Sequence, residues 1–245
     1  MGILMNALRL FSQMLSLPLQ LLELVGIYGA YKRIFPFFMY KTSIAYNKKM
    51  HEQKKELFRD LAEFARDGRA LRLLEIGCGS GSNFQYYPRG CTVVCTDPNP
   101  HFKKYLQKSV ASSDHLKFEK FVVASGEDLG EVEDGSVDVA VCTLVLCTVK
   151  DTTRVLVEVH RVLRPGGALF FLEHVVSDPS TWTFFMQHVL QPLWYYFEDG
   201  CEVTRATWKD LEASRSLLEL NSMVTFFPLA LGIKKNYMAQ TGEVL

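Results

Sequence analysis

The sequence lacks a charge excess of either sign: lysine plus arginine and aspartate plus glutamate each number 27 among 245 residues. No global basic field exists to draw the chain to nucleic acid, so a polynucleotide substrate is disfavoured. There is no CxxC pair either. The six cysteines are Cys78, Cys91, Cys95, Cys142, Cys147 and Cys201, four of them inside or beside apolar runs. No His or Cys cluster has the spacing of a zinc site, so reduced thiols and no metal are expected. Also missing is an uncharged apolar run long enough to span a bilayer. The longest near the N-terminus, residues 10–22, has 13 residues, against about 20 for a crossing helix. A secretory signal would want positive charge ahead of its apolar core, and residues 1–8 carry none beyond the terminal amine.

Residues 3–31 are mostly Leu, Ile, Met, Phe and Val, interrupted by Asn6, Arg9, Gln13, Ser16, Gln20 and Glu23. Steps of three and four are helical, giving a narrow polar stripe opposite a broad apolar face. Such a helix suits an interfacial anchor, with a spanning anchor or a helix packed on the protein itself as alternatives. Pro18 is expected to kink it, allowing a hairpin or two short helices. Lys32, Arg33, Lys41, Lys48 and Lys49 follow, interleaved with Phe35, Phe37, Phe38 and Tyr40. Basic charge after an anchor favours a cytosol-facing domain, and aromatics suit the headgroup layer. The expected division is a membrane anchor at 1–31, a juxtamembrane linker at 32–44, a catalytic domain at 45–215 and a C-terminal tail at 216–245.

From residue 44 onward strands and helices alternate. A helix is expected over 44–66, strands at 71–76, 92–96, 117–123, 137–144 and 168–173, and helices at 100–110 and 152–163. Arg164, Pro165, Gly166 and Gly167 form a turn that ends one helix and launches a strand. This alternation predicts an α/β fold: a Rossmann-like, doubly wound, mostly parallel sheet whose ligand lies at the carboxyl edge.

The first strand runs directly into Gly77, Cys78, Gly79, Ser80 and Gly81. Glycines there let the backbone approach a ligand closely. Ser82 stands where a dinucleotide fingerprint needs glycine or alanine. The spacing is instead G-x-G-x-G preceded by Glu75, and the second strand ends in Asp97, followed by Pro98 and Asn99. A carboxylate at that edge can accept from both hydroxyls of a ribose. An acid at Glu75 can hold an ammonium group or shape the loop by hydrogen bonds. These groups suit S-adenosyl-L-methionine, which has no phosphate but carries an amino group, a ribose diol and a sulfonium.

The runs LLEIGCGSGSNFQYYP (73–88), CTDPNPHF (95–102), FVVASGEDL (121–129), DGSVDVAVCTLVLCTV (134–149) and VLRPGGALFFLEHV (162–175) carry a more specific resemblance. They resemble the membrane-anchored family of class I methyltransferases that includes the alkyl-thiol methyltransferases of the endoplasmic reticulum and lipid droplets. The resemblance implies methylation of small lipophilic thiols by a cytosol-facing domain at those membranes. It also implies a cofactor site at Glu75, Gly77, Cys78, Gly79, Gly81, Asp97, Pro98, Gly126, Glu127 and Thr143. Two departures stand out. Ser125 occupies the place of the Asp that often meets adenine, leaving Gly126 backbone and Glu127 or Asp128, and the tail after about residue 216 lacks the expected strand pair, with 224–231 offering one strand.

No N-P-P-Y-like run follows the fourth strand; residues 142–147 there are apolar. A thiol needs little polar recognition, because its thiolate is a strong nucleophile and transfer depends on alignment. His174 and Glu173, at the end of the fifth strand, are the candidate catalytic or substrate-orienting groups. Competing readings are a methyltransferase acting on oxygen or carbon of a lipid or quinone, and a non-catalytic membrane or lipid-droplet protein with this fold. Trp182, Phe184, Phe185, Trp194, Tyr195, Tyr196 and Phe197 offer packing over the sheet edge, a lid, or a second membrane contact.

Overall fold

A computed structural model describes residues 2–66, 68–214 and 224–225. Six strands form one sheet: β1 (Arg72–Ile76), β2 (Thr92–Thr96), β3 (Lys117–Val122), β4 (Val137–Thr143), β5 (Leu163–Glu173) and β6 (Val224–Thr225). Their order is β3-β2-β1-β4-β5-β6, and every pairing is parallel. The order reverses between β1 and β4, so the carboxyl ends of β1, β2 and β4 border a crevice where such sheets bind ligands.

The strands read as continuous apolar runs because both faces are covered. On one face Leu74, Ile76, Ala140, Cys142, Leu169 and Phe171 pack with Val155, Leu156, Val159 and Val162 of the helix Thr152–Val162. On the other, Leu73, Val93, Val139, Val141, Phe170 and Leu172 meet Met50, Leu57, Phe58, Leu61 and Phe84. Each such side chain taken fully out of water contributes about 1.5–3 kcal/mol.

The helices are α1 (Gly2–Leu24), α2 (Tyr28–Lys49), α3 (His51–Leu57), α4 (Lys103–Ala111), α5 (Thr152–Val162), α6 (Trp182–Phe197) and α7 (Thr207–Ala213). Three of these elements depart from expectation. α1 passes through Pro18 unbroken, and the chain turns instead at residues 25–27, where Gly26 adopts φ +76° and α2 leaves at 110°. The expected linker is helical: α2 runs through it, with Phe35 and Pro36 buried. The expected helix over 44–66 is broken at Met50 into α2, α3 and a 3-10 turn at Leu61–Phe64. These breaks let Met50, Leu57, Phe58 and Leu61 all reach one core.

The turn at Arg164 to Gly167 lies within β5 as an irregularity, the register passing from Val137 opposite Leu163 to Val139 opposite Ala168. Asp138 secures it by binding the Arg164 guanidinium and the backbone N–H of Arg72. In the tail, Val224 and Thr225 pair with Leu172 and Glu173. Residues 226–231 of that expected strand lie outside the described residues.

Candidate active site

The glycine loop leaves β1 with Gly77, Gly79 and Gly81 at φ +62°, +52° and +75°. These are left-handed conformations that only glycine adopts freely. Space makes the same demand at Gly77, where a Cβ would lie 2.3 Å from a methyl of Val145. Gly126 is similarly tight, since a Cβ there would lie 2.9 Å from Ile76.

Asp97, at the end of β2, is 6% exposed. One carboxylate oxygen accepts the Gly79 N–H at 3.0 Å, the other the Asn99 N–H at 2.8 Å. It therefore ties the glycine loop to the β2 turn and leaves lone pairs for further donors. Burial pushes its carboxyl up to about 7, against the pull of the two amides. Asn99 in turn donates to the Lys32 backbone oxygen at 2.8 Å, so α2 is fastened across this edge, with Phe35 set edge-on to Phe102. Pro98 is exposed at the turn, and the Cys78 side chain is buried in the core under the loop.

Glu75 makes a loop-shaping contact. It is 1% exposed and accepts from Asn83 Nδ2 at 2.8 Å, so it shapes the loop from beneath. Asn83 donates also to Thr143 Oγ1 at 2.9 Å and accepts from Lys54 Nζ at 2.7 Å. Lys54 reaches Asn47 at 2.7 Å, and Asn47 donates to the Ser82 oxygen at 2.6 Å. This buried chain couples α2, α3, β1 and β4. Burial raises Glu75 to about 7 and lowers Lys54 to about 8, each held back by the charge of the other. Lys54, Asn47 and Asn83 were missed from the sequence as site-forming groups. The seven-residue step from Asn47 to Lys54 is two helical turns on one face, the one signal that could have linked them.

Glu127 is tied to the start of α5. Its carboxylate accepts from Ser125 Oγ at 3.1 Å and the Asp151 N–H at 2.8 Å, bracing the start of α5.

The β4–β5 end is built differently. Glu173, buried at 1%, accepts the N–H groups of Val145, Leu146 and Cys147 at 2.9, 2.9 and 3.2 Å. The expected catalytic acid is thus a positioning residue that folds the 144–147 loop over the glycines. Burial raises it to about 7 despite the three amides. His174 turns Nδ1 toward two sulfurs, Cys201 at 3.2 Å and Cys147 at 3.8 Å, and the sulfurs are 3.3 Å apart. Trp194 stands edge-on over the imidazole at 6.2 Å. Contact with Cys147 and His174 holds the Cys201 thiol well below its ordinary range. Burial opposes charge on His174, but the Cys201 contact outweighs it and raises the imidazole pKa.

A parallel sheet of this order, with a positive-φ glycine loop after β1 and a carboxylate after β2, is common to dinucleotide-binding folds and class I S-adenosylmethionine-dependent methyltransferases, and the relatives of this chain place it in the second class. A family profile described as a methyltransferase domain matches residues 74–171. Geranyl diphosphate methyltransferase in complex with SAM shares the fold, with a TM-score of 0.51 at 20% identity over 71% of this chain and 66% of that one. Thiol S-methyltransferase TMT1A of Homo sapiens is 56% identical over 77% of this chain and 78% of its own length. Thiol S-methyltransferase TMT1B of Homo sapiens is 50% identical over 86% and 87%. The chain belongs to the thiol S-methyltransferase family, and its cofactor is S-adenosylmethionine.

Proposed function

We propose that the protein methylates small lipophilic thiols at the surface of a membrane or lipid droplet, with its catalytic domain on the cytosolic side of the endoplasmic reticulum. The observation that carries the membrane part is the orientation of α1. Its two buried residues are the polar Ser12 and Ser16, while Leu10, Phe11, Met14, Leu17 and Leu21 are 50–66% exposed. α1 packs along α6, whose Trp182 and Phe197 are also exposed, as are Ile34, Phe37 and Phe38 of α2. An apolar face of this extent on a water-surrounded protein marks a lipid or partner contact. No single helix among the described residues is long and apolar enough to cross a membrane. The reading is therefore a face lying in the interface.

The cofactor supplies a methyl group on a sulfonium. The chain supplies alignment: Asp97 orients the ribose, the glycine loop admits the backbone to close approach, and Glu173 fixes the loop at the β4 end. Bound there, S-adenosylmethionine would supply a methyl group activated for displacement by the thiolate, with the neutral thioether as leaving group. An alkyl thiol ionises above neutrality, so the reactive thiolate is a minor species whose share rises with pH.

Transfer of labelled methyl from S-adenosylmethionine to hexanethiol by detergent-solubilised protein tests the reaction, and flotation with lipid vesicles tests the attachment. Turnover is expected with hexanethiol and not with an isoprenoid quinone. The reverse preference would replace the thiol reading with the lipid one. Leu10, Phe11 and Leu17 changed together to Ser should leave the protein unfloated; undiminished flotation would sink the membrane reading.

A further inference from the structure

Cys147, His174 and Cys201 are 0%, 5% and 2% exposed, and their three donor atoms lie within 4.8 Å of one another. The spacing argument excluded a site written into one local motif. It does not reach a cluster drawn from the ends of β4 and β5 and the loop after α6, each 27 residues from the next. The separations of 3.2, 3.3 and 3.8 Å put the donors on a circle of radius about 2 Å. An ion slightly off that plane meets all three at the lengths of zinc–sulfur and zinc–imidazole bonds, about 2.0–2.3 Å.

The arrangement is held from outside. The Cys147 N–H is fixed by Glu173, and its carbonyl accepts from Glu202 N at 2.8 Å, joining the two cysteine segments. Gln191 donates to the Cys201 carbonyl at 3.1 Å. Val203 and Trp194 wall the cluster with apolar surface.

We propose that Cys147, His174 and Cys201 bind one thiophilic divalent cation of the zinc class, with a fourth position that takes the substrate thiolate. Two thiolates cancel the charge of such a cation, so the unit is tolerated in a dry pocket where an isolated ion is not. Three protein ligands with one open position is the pattern of reactive rather than structural zinc sites. The substrate sulfur bonds to the metal as a thiolate whose proton was left in bulk solvent before entry, so no proton has to leave the dry site. This last part rests on the thiol reading above; the cation site does not.

The test uses the full chain in detergent, loaded with zinc chloride and freed of loose metal. Elemental mass spectrometry is expected to find one zinc per chain. Cys147 and Cys201 should resist iodoacetamide until a chelator removes the metal. The double variant Cys147→Ser, Cys201→Ser should lose the zinc and keep S-adenosylmethionine binding; if it fails to fold, a thiolate-to-cobalt charge-transfer band in the Co2+-loaded parent decides, and its absence overturns the site. A parent without zinc, or a variant holding as much, overturns the site, as does a Cys147–Cys201 disulfide formed on mild oxidation in a chain that takes up no metal. With Co2+ in place of zinc, hexanethiol should shift the metal's visible absorption. Bound metal with no such shift overturns the open position, while turnover of hexanethiol independently reports on the thiol reading.

Discussion

At the β1–β2 end of the sheet, the groups facing the cofactor come from one continuous stretch, residues 75–99, and their geometry is mostly backbone. At the β4–β5 end, Cys147, His174 and Cys201 come from three separate segments, and a buried carboxylate, Glu173, holds the loop between them. The first end combines local φ angles and an aspartate with one buried side-chain network through Lys54 and Asn83; the second depends throughout on tertiary packing. Damage to a single side chain should therefore spread differently at the two ends.

The largest effect is expected at Glu173. Alanine there leaves three buried amides without an acceptor, at about 1–3 kcal/mol each. Urea unfolding should show a loss of about 3 kcal/mol or more, with Glu173→Gln retaining at least half of it. Equal stability of both variants with the parent would remove the positioning role. Next comes Asp97→Ala, which removes charge-assisted acceptors for ribose worth about 1.5–3 kcal/mol each. Calorimetric titration should find S-adenosylmethionine affinity down by about 100-fold in a protein that still unfolds cooperatively. Lys54→Met keeps the bulk but strands the Oδ1 atoms of Asn47 and Asn83. Cofactor affinity is expected to fall about tenfold, and an unchanged value would separate this network from the cofactor site.

The smallest effects are those of pH. Asp97 is raised to about 7, and its ionised form is the better acceptor. Cofactor affinity should climb as pH rises from 6 to 8, by about tenfold or less, and Asp97→Asn should flatten the climb. Glu173 also sits at about 7 when folded, above the ordinary carboxyl range near 4. Its unfolded form releases the proton first, so the parent should lose stability relative to Glu173→Gln between pH 4 and 7. A gain over that window would reverse the assignment.

Much of the first end was legible because its requirements are local. Gly77, Gly79 and Gly81 announce left-handed turns, and Asp97 follows an apolar strand directly. Glu75 was legible with loop shaping as one of two roles, but its partner was not, since Asn83 arrives through a turn whose direction no periodicity encodes. The contact of Glu127 with the start of α5, 24 residues on, is likewise invisible to periodicity. The polar stripe of α1 is legible as a helical pattern, yet which face turns outward was decided by packing against α6.

By itself the sequence determined the alternation of strands and helices, the glycine loop and the carboxylate after β2, because hydrophobic period and φ preference act between near neighbours. Only the tertiary structure decided that Glu173 binds backbone, that Lys54 is buried against Asn83, and that Cys147, His174 and Cys201 meet. Those contacts join residues whose separation along the chain carries no signal, and burial fixes them only once the sheet has brought its strand ends together.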